Sequence, residues 1–120
     1  MNIYPMLFGI STRHAAVEAG LGTLGKNRLL ITPRFGPRQR IAAVITDAEL
    51  KPDKKISTEE VEKLFPTTCH ACISACPGKA LSNEDIAWEK CNEVIKPHNS
   101  MYGYSACSQC IIACPTGRIS

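Results

Sequence analysis

The chain is organised by a cysteine run that occurs twice. Cys69-His-Ala-Cys72-Ile-Ser-Ala-Cys76-Pro77 returns 38 residues later as Cys107-Ser-Gln-Cys110-Ile-Ile-Ala-Cys114-Pro115, with six of the nine positions identical. Both copies read C-x2-C-x3-C-P, the last three quarters of the bacterial iron–sulfur run C-x2-C-x2-C-x3-C-P. The short gaps wrap a tight loop around a cluster, and the longer gap starts a helical turn that carries the last thiolate away. Proline then follows where no backbone donor is needed. Paired C-x2-C motifs also hold zinc, but the repeated third cysteine and the repeated proline favour iron–sulfur. A disulfide framework fits worst, because seven cysteines is an odd number and clustered pairs in such a chain favour metal.

The spacing also allots ligands. In the full run the first three thiolates hold one cluster and the fourth crosses to its neighbour. Crossing the two runs puts Cys69, Cys72 and Cys114 around one cluster and Cys107, Cys110 and Cys76 around the other. The first position of a full run is Pro66 in one copy and Tyr104 in the other, and the seventh cysteine, Cys91, lies between the runs. One extra thiolate can complete one cluster, so the expectation is four ligands plus three. The three-thiolate cluster is then either a three-iron cluster or a four-iron cluster with a labile corner. His70 or Thr67 could fill the gap, as could a partner's residue.

At 120 residues the chain is one domain or a piece of one, and its modest core leaves metal to supply much of the folding free energy. The formal charge of +3 omits the clusters and says little about partners. No apolar run is long enough to span a bilayer. The first ten residues read as an extended lead-in without the basic and apolar regions of a secretory leader, so the expected setting is the reducing cytoplasm.

Along the chain, a helix is expected from Ser11 or Thr12 through Ala19, ended by Gly20. Gly20-Leu-Gly22-Thr-Leu-Gly25-Lys26-Asn27 fits the dinucleotide pattern G-x-G-x-x-G and nearly fits G-x4-G-K-[ST]. Each motif needs a strand before and a helix after; here a helix precedes and the strand-like Arg28–Thr32 follows, so the reading is a glycine-rich connection. Residues 28–46 read as a β-hairpin turned at Pro33–Pro37, with Asp47 at its end. Arg13, Lys26, Arg28, Arg34, Arg38 and Arg40 face Glu18 alone in this stretch. They form either a solvated face or a seat for an anionic ligand or acidic partner; no interleaved aromatics support nucleic acid. Ser57-Thr-Glu-Glu60 is a capping box opening a helix to about Leu64. A further helix should start near Ser82, carry Trp88 and Cys91, and end near Lys96 before a loop. Trp88 is expected to pack against a cluster; His70 and His98 default to solvated histidines.

With those residues in hand, the chain resembles a known family. Arg13-His-Ala-Ala, Ala19-Gly-Leu-Gly, Gly25-Lys26-Asn27, Leu-Ile-Thr-Pro33, Phe-Gly36, Arg40 and Val-Ile-Thr-Asp47, followed by the cysteine runs, are similar to the C-terminal half of corrinoid-dependent iron–sulfur reductases, namely epoxyqueuosine reductases and reductive dehalogenases. The resemblance covers residues 11–118. It implies that Cys91 joins Cys76, Cys107 and Cys110, giving that cluster four thiolates. It implies a two-cluster, ferredoxin-like module feeding electrons to a cobalamin, with Gly20, Gly22, Gly25 and Lys26 near that corrinoid. The chain departs from the family in two ways. The family carries most of the corrinoid pocket and its proton donors upstream of the matching region, and Pro66 replaces a family cysteine.

The expected fold is therefore α+β, with a helix, glycine-rich loop and β-hairpin in residues 1–56 and a ferredoxin-like dicluster domain in residues 57–120. The expected function is electron transfer through two iron–sulfur clusters of the four-iron type, without catalysis by the chain alone. The alternative is a fragment or subunit of a corrinoid-dependent reductase. Its partner is a redox protein or a corrinoid-binding domain, with neither nucleic acid nor membrane involved. A structural zinc or interaction module is the third reading.

Overall fold

The computed structural model describes residues 10–103 and 107–118. Its first helix, α1, is Thr12–Glu18, one residue shorter than expected. Gly20 sits at φ +79° and lets two amides turn back on the helix, Gly20 N to Val17 O at 3.1 Å and Leu21 N to Ala16 O at 3.1 Å. This pair of bonds satisfies carbonyls that a helix end leaves open.

The hairpin lies earlier than the sequence suggests. Strand β1 is Thr23–Leu24 and β2 is Leu30–Ile31, antiparallel with Thr23 opposite Ile31 and Leu24 opposite Leu30. The glycine-rich stretch is thus part of the hairpin rather than a lead into it. Residues 25–29 form its tip, closed by Gly25 N to Leu29 O at 2.9 Å, and Arg28 takes a left-handed φ of 62°. Gly22 is required by the pairing: a Cβ there would stand 2.1 Å from the Ile31 carbonyl oxygen. The expected turn at Pro33–Pro37 is present, closed by a bridge between Thr32 and Gly36.

The expected second strand, Arg40–Thr46, is not formed. Val44 is 86% exposed and Ile45 64%. A β-branched run becomes a strand by packing a pleated face against neighbours, and this run has no neighbouring strand among the described residues.

Helix α2, Thr58–Leu64, begins on the expected capping box: Ser57 Oγ accepts from Glu60 N, and Glu60 accepts from Ser57 N at 2.7 Å. Each cysteine run then forms one short helical segment, α3 at Ala71–Ala75 and α5 at Gln109–Ile112. Both begin two residues after the first cysteine of their run, and the two pack together.

Helix α4 is Trp88–Tyr102, later at both ends than expected. Ser82 does not cap it. Its hydroxyl instead receives Asp85 N at 3.0 Å in a tight turn, bracketed by a Leu81–Ile86 bridge. The helix continues through Pro97, whose fixed φ suits a helix although its ring removes one bond. Gly103, at φ +72° with its amide on Asn99 O at 3.0 Å, is the actual stop.

The class is α+β, with one two-stranded sheet among the described residues. The apolar core is thin: Ala16, Leu30, Ile31, Ala80, Leu81 and Cys114 are its buried members. No helix of the described residues is long and apolar enough to cross a membrane.

Candidate metal centre

Six of the seven cysteines line two cavities. Cys69, Cys72 and Cys114 border one; Cys91, Cys107 and Cys110 border the other. Cys114 belongs to the second run by sequence but lies with the first run's pair, which follows from α3 and α5 packing against each other. Cys76 reaches toward the second group. Burial pushes the Cys91 thiol up, and nearby Cys76 and Cys107 add to the shift. Burial also pushes Cys110 up to about 11, with Cys72, Cys107 and Cys76 contributing as neighbours. Cys72 is raised by burial first and by the charges of Cys114 and Cys69 after it. The Cys72–Cys110 proximity brings the two groups close to each other. Cys76 Sγ accepts the Ala80 amide at 3.3 Å, the kind of bond that stabilises a bound thiolate.

Among the described residues, no three His, Cys, Asp or Glu side chains converge on a single point as the ligands of one ion do. A single zinc–thiolate site would bring its sulfurs to roughly 3.8 Å of one another, from the usual zinc–sulfur bond and tetrahedral angle. The ligands of an iron–sulfur cluster surround a larger body.

The hairpin region buttresses both runs. Lys26 Nζ donates to the carbonyls of Thr67 and, at 2.7 Å, Cys69. The next residue, Asn27, is 5% exposed and donates from Nδ2 to Cys110 O at 3.4 Å. Adjacent side chains on one hairpin tip therefore hold one run each. Arg38 forks onto the second run, reaching Ile111 O at 3.0 Å, Cys114 O at 2.6 Å and Thr116 O at 2.8 Å. Thr116 Oγ1 donates to Leu64 O at 2.6 Å. Gly36 and Gly117 meet so closely that a Cβ on Gly117 would lie 2.1 Å from Gly36 N. The excess of cations over residues 13–40 is the sequence signal for these clamps, and three of them, Arg13, Lys26 and Arg38, cap carbonyls rather than forming a solvated face. Arg13 donates to the Arg28 carbonyl, while Arg28 Nε and Nη2 are buried without a partner.

The other predicted positions divide. Gly25 and Lys26 line the Cys69 cavity, whereas Gly20 and Gly22 do not. Pro66 offers only its carbonyl, which accepts Cys69 N at 2.9 Å; Tyr104 lies outside the described residues. His70 is exposed, with Nδ1 on Thr68 O at 2.6 Å, and neither it nor Thr67 lines the cavity. His98 is on the exposed surface of α4. Trp88, expected against a cluster, is 50% exposed and lines a cavity with Arg13, Arg28 and Asp85 that includes no cysteine.

In class, this is a thiol-rich α+β module built on two crossed cysteine runs. No family model matches the chain. It is 38% identical over 123 aligned positions, 87% of its own length, to a tetrachloroethene reductive dehalogenase of Desulfitobacterium hafniense, covering 22% of that protein. It is 34% identical to that of Sulfurospirillum multivorans, over 83% of this chain and 22% of the relative. It is 33% identical to an epoxyqueuosine reductase of Listeria monocytogenes, over 86% of this chain and 28% of the relative. The chain is thus homologous to a C-terminal part of reductive dehalogenases and epoxyqueuosine reductases. It spans between 22% and 30% of the length of the curated relatives it matches.

Proposed function

We propose that residues 57–118 hold two iron–sulfur clusters in a ferredoxin-like arrangement and pass single electrons within a reductase of the dehalogenase and epoxyqueuosine kind. Cys69, Cys72 and Cys114 hold the first cluster; Cys76, Cys91, Cys107 and Cys110 hold the second. The observation that carries this reading is the crossing of the runs: Cys114 shares a cavity with Cys69 and Cys72, while Cys107 and Cys110 share one with Cys91. The repeated iron–sulfur run supplies a direct reason for that exchange.

The bound clusters supply one-electron redox chemistry, with potentials set by net charge, hydrogen bonds to sulfur and solvent exposure. The chain's own residues do the rest. Partial burial of Cys110 and Cys72 limits water at the ligands, and the Ala80 amide donates to Cys76 Sγ. Lys26, Asn27 and Arg38 keep the two runs in register. Residues 10–56 serve as the buttress and as the surface turned to a larger assembly. Within such an assembly the glycine-rich tip is the expected neighbour of a corrinoid, as the sequence resemblance implies. Reductive chemistry on an organic substrate belongs to that assembly.

Serine substitutions test the ligand sets. In anaerobically prepared protein, Cys72→Ser and Cys107→Ser should each lower bound iron to about half or less, and each should remove a different EPR signal. Loss of the same signal from both variants would show that the crossing has been misread.

A further inference from the structure

We propose that the Cys69–Cys72–Cys114 site takes a small anionic ligand at the iron corner that lacks a thiolate, seated by the ammonium of Lys26. The inference rests on the cluster assignment above and deepens it.

Three thiols border this cavity, and Pro66 occupies the position from which a fourth would come. The nearest side-chain alternatives are ruled out by their placement. His70 is exposed and turned to Thr68 O; Thr67 is exposed and gives its carbonyl to Lys26. Apart from the cysteines, the polar side chains lining the cavity are Lys26 and Asn27. Asn27 is engaged at both ends, by Cys110 O at 3.4 Å and by Leu29 N at 3.2 Å.

Lys26 is different. An ammonium has three donors, and two of its three are taken by the carbonyls of Thr67 and Cys69. Those bonds fix the charge at the cavity wall and leave one N–H. Among the described residues the ion pairs are Lys55–Glu18, Lys63–Glu59 and Lys96–Glu93, so no carboxylate neutralises Lys26. Ile31 and Phe65 supply apolar wall on the same cavity, where a charge is screened less than in open water. A pinned, unneutralised cation in such a wall favours an anion with a lone pair for iron, and three thiolates plus one anion restore the ligand charge of a four-thiolate cluster. Binding displaces a solvent ligand; the anion's lone pair forms the new bond, and no electron is transferred.

The test uses the full chain, reconstituted anaerobically, reduced, and titrated with 13C-labelled cyanide under EPR and ENDOR. The account expects one of two cluster signals to shift saturably and to acquire 13C hyperfine coupling. Lys26→Met should weaken this binding about tenfold, the scale of a lost charge-assisted bond, while Lys26→Arg retains most of it. Pro66→Cys should abolish it. Clusters present but blind to cyanide would overturn this inference and leave the cluster assignment standing; protein with no cluster signal would overturn both. Equal affinity in the Lys26→Met protein would remove the lysine from the site. Should that variant fail to load iron, an unchanged cyanide response in Pro66→Cys would overturn the proposal by itself.

Discussion

Arg38 Nη2 donates to the carbonyl of Cys114 at 2.6 Å. A side chain from the hairpin region thereby fixes the backbone of the cysteine that crosses between the runs. The same guanidinium reaches Ile111 O and Thr116 O, a fork that lysine cannot reproduce. Arg38→Ala should destabilise the loaded protein by about 1–3 kcal/mol, the range for hydrogen bonds from a charged group with partial exposure. Arg38→Lys should recover only part of that. Anaerobic denaturant unfolding measures both; an unchanged midpoint for Arg38→Ala would show that the fork is idle.

Gly117 and Gly103 share a left-handed backbone but differ in surroundings. A Cβ on Gly117, at φ +70°, would lie 2.1 Å from Gly36 N, whereas one on Gly103, at φ +72°, meets nothing within 4 Å. Gly103→Ala should therefore cost only the conformational penalty, about 1–2 kcal/mol. Gly117→Ala adds a backbone clash and should cost clearly more, or prevent folding. Equal melting temperatures for the two variants would contradict the close approach of residues 36 and 117.

The two clusters should differ in robustness. Pro66 offers only a carbonyl, already taken by Cys69 N at 2.9 Å, so iron at the proposed Cys69 site should be lost first on oxidation. Mild air exposure should yield a three-iron EPR signal from roughly one cluster per chain, and Pro66→Cys should suppress it. Equal resistance of both clusters would mean that a fourth ligand exists at the first.

Loading should depend on pH in a defined direction. Burial pushes the Cys110 thiol up to about 11, so at neutral pH a proton sits where iron needs a thiolate. Iron requires the thiolate and competes with protons. Cluster assembly should release protons, and bound iron should fall as pH is lowered below neutrality. Because the apolar core is thin, the cooperative unfolding transition should disappear with the iron. Iron retention that ignores pH, or a sharp melt of iron-free protein, would refute this.

Much of this was legible in local chemistry. The capping box at Ser57, the turn at Pro33–Pro37 and the helical segment inside each cysteine run depend on neighbours in sequence, and each formed where the residues indicated. The hairpin lies earlier than the residue pattern indicates because strand pairing is a tertiary choice: Leu30 and Ile31 bury themselves against Thr23 and Leu24, and Arg40–Thr46 has no partner strand among the described residues. Helix α4 runs past its expected end because the fixed φ of Pro97 suits a helix, and the decisive stop is Gly103. The clamps of Lys26, Asn27 and Arg38 join residues 41 to 83 positions apart, and no periodicity encodes such distances. Gly22 resembled a phosphate-binding glycine; its place is explained by the Ile31 carbonyl it must clear.

The central claim is that two iron–sulfur clusters sit on the crossed runs, and iron and acid-labile sulfide content of anaerobically purified protein tests it most directly. The account predicts brown protein in which iron and sulfide are present in near-equal amounts, at seven to eight irons per chain when fully loaded (about four per complete cluster and three or four at the Cys69 site). Colourless protein carrying stoichiometric zinc and no sulfide would contradict it.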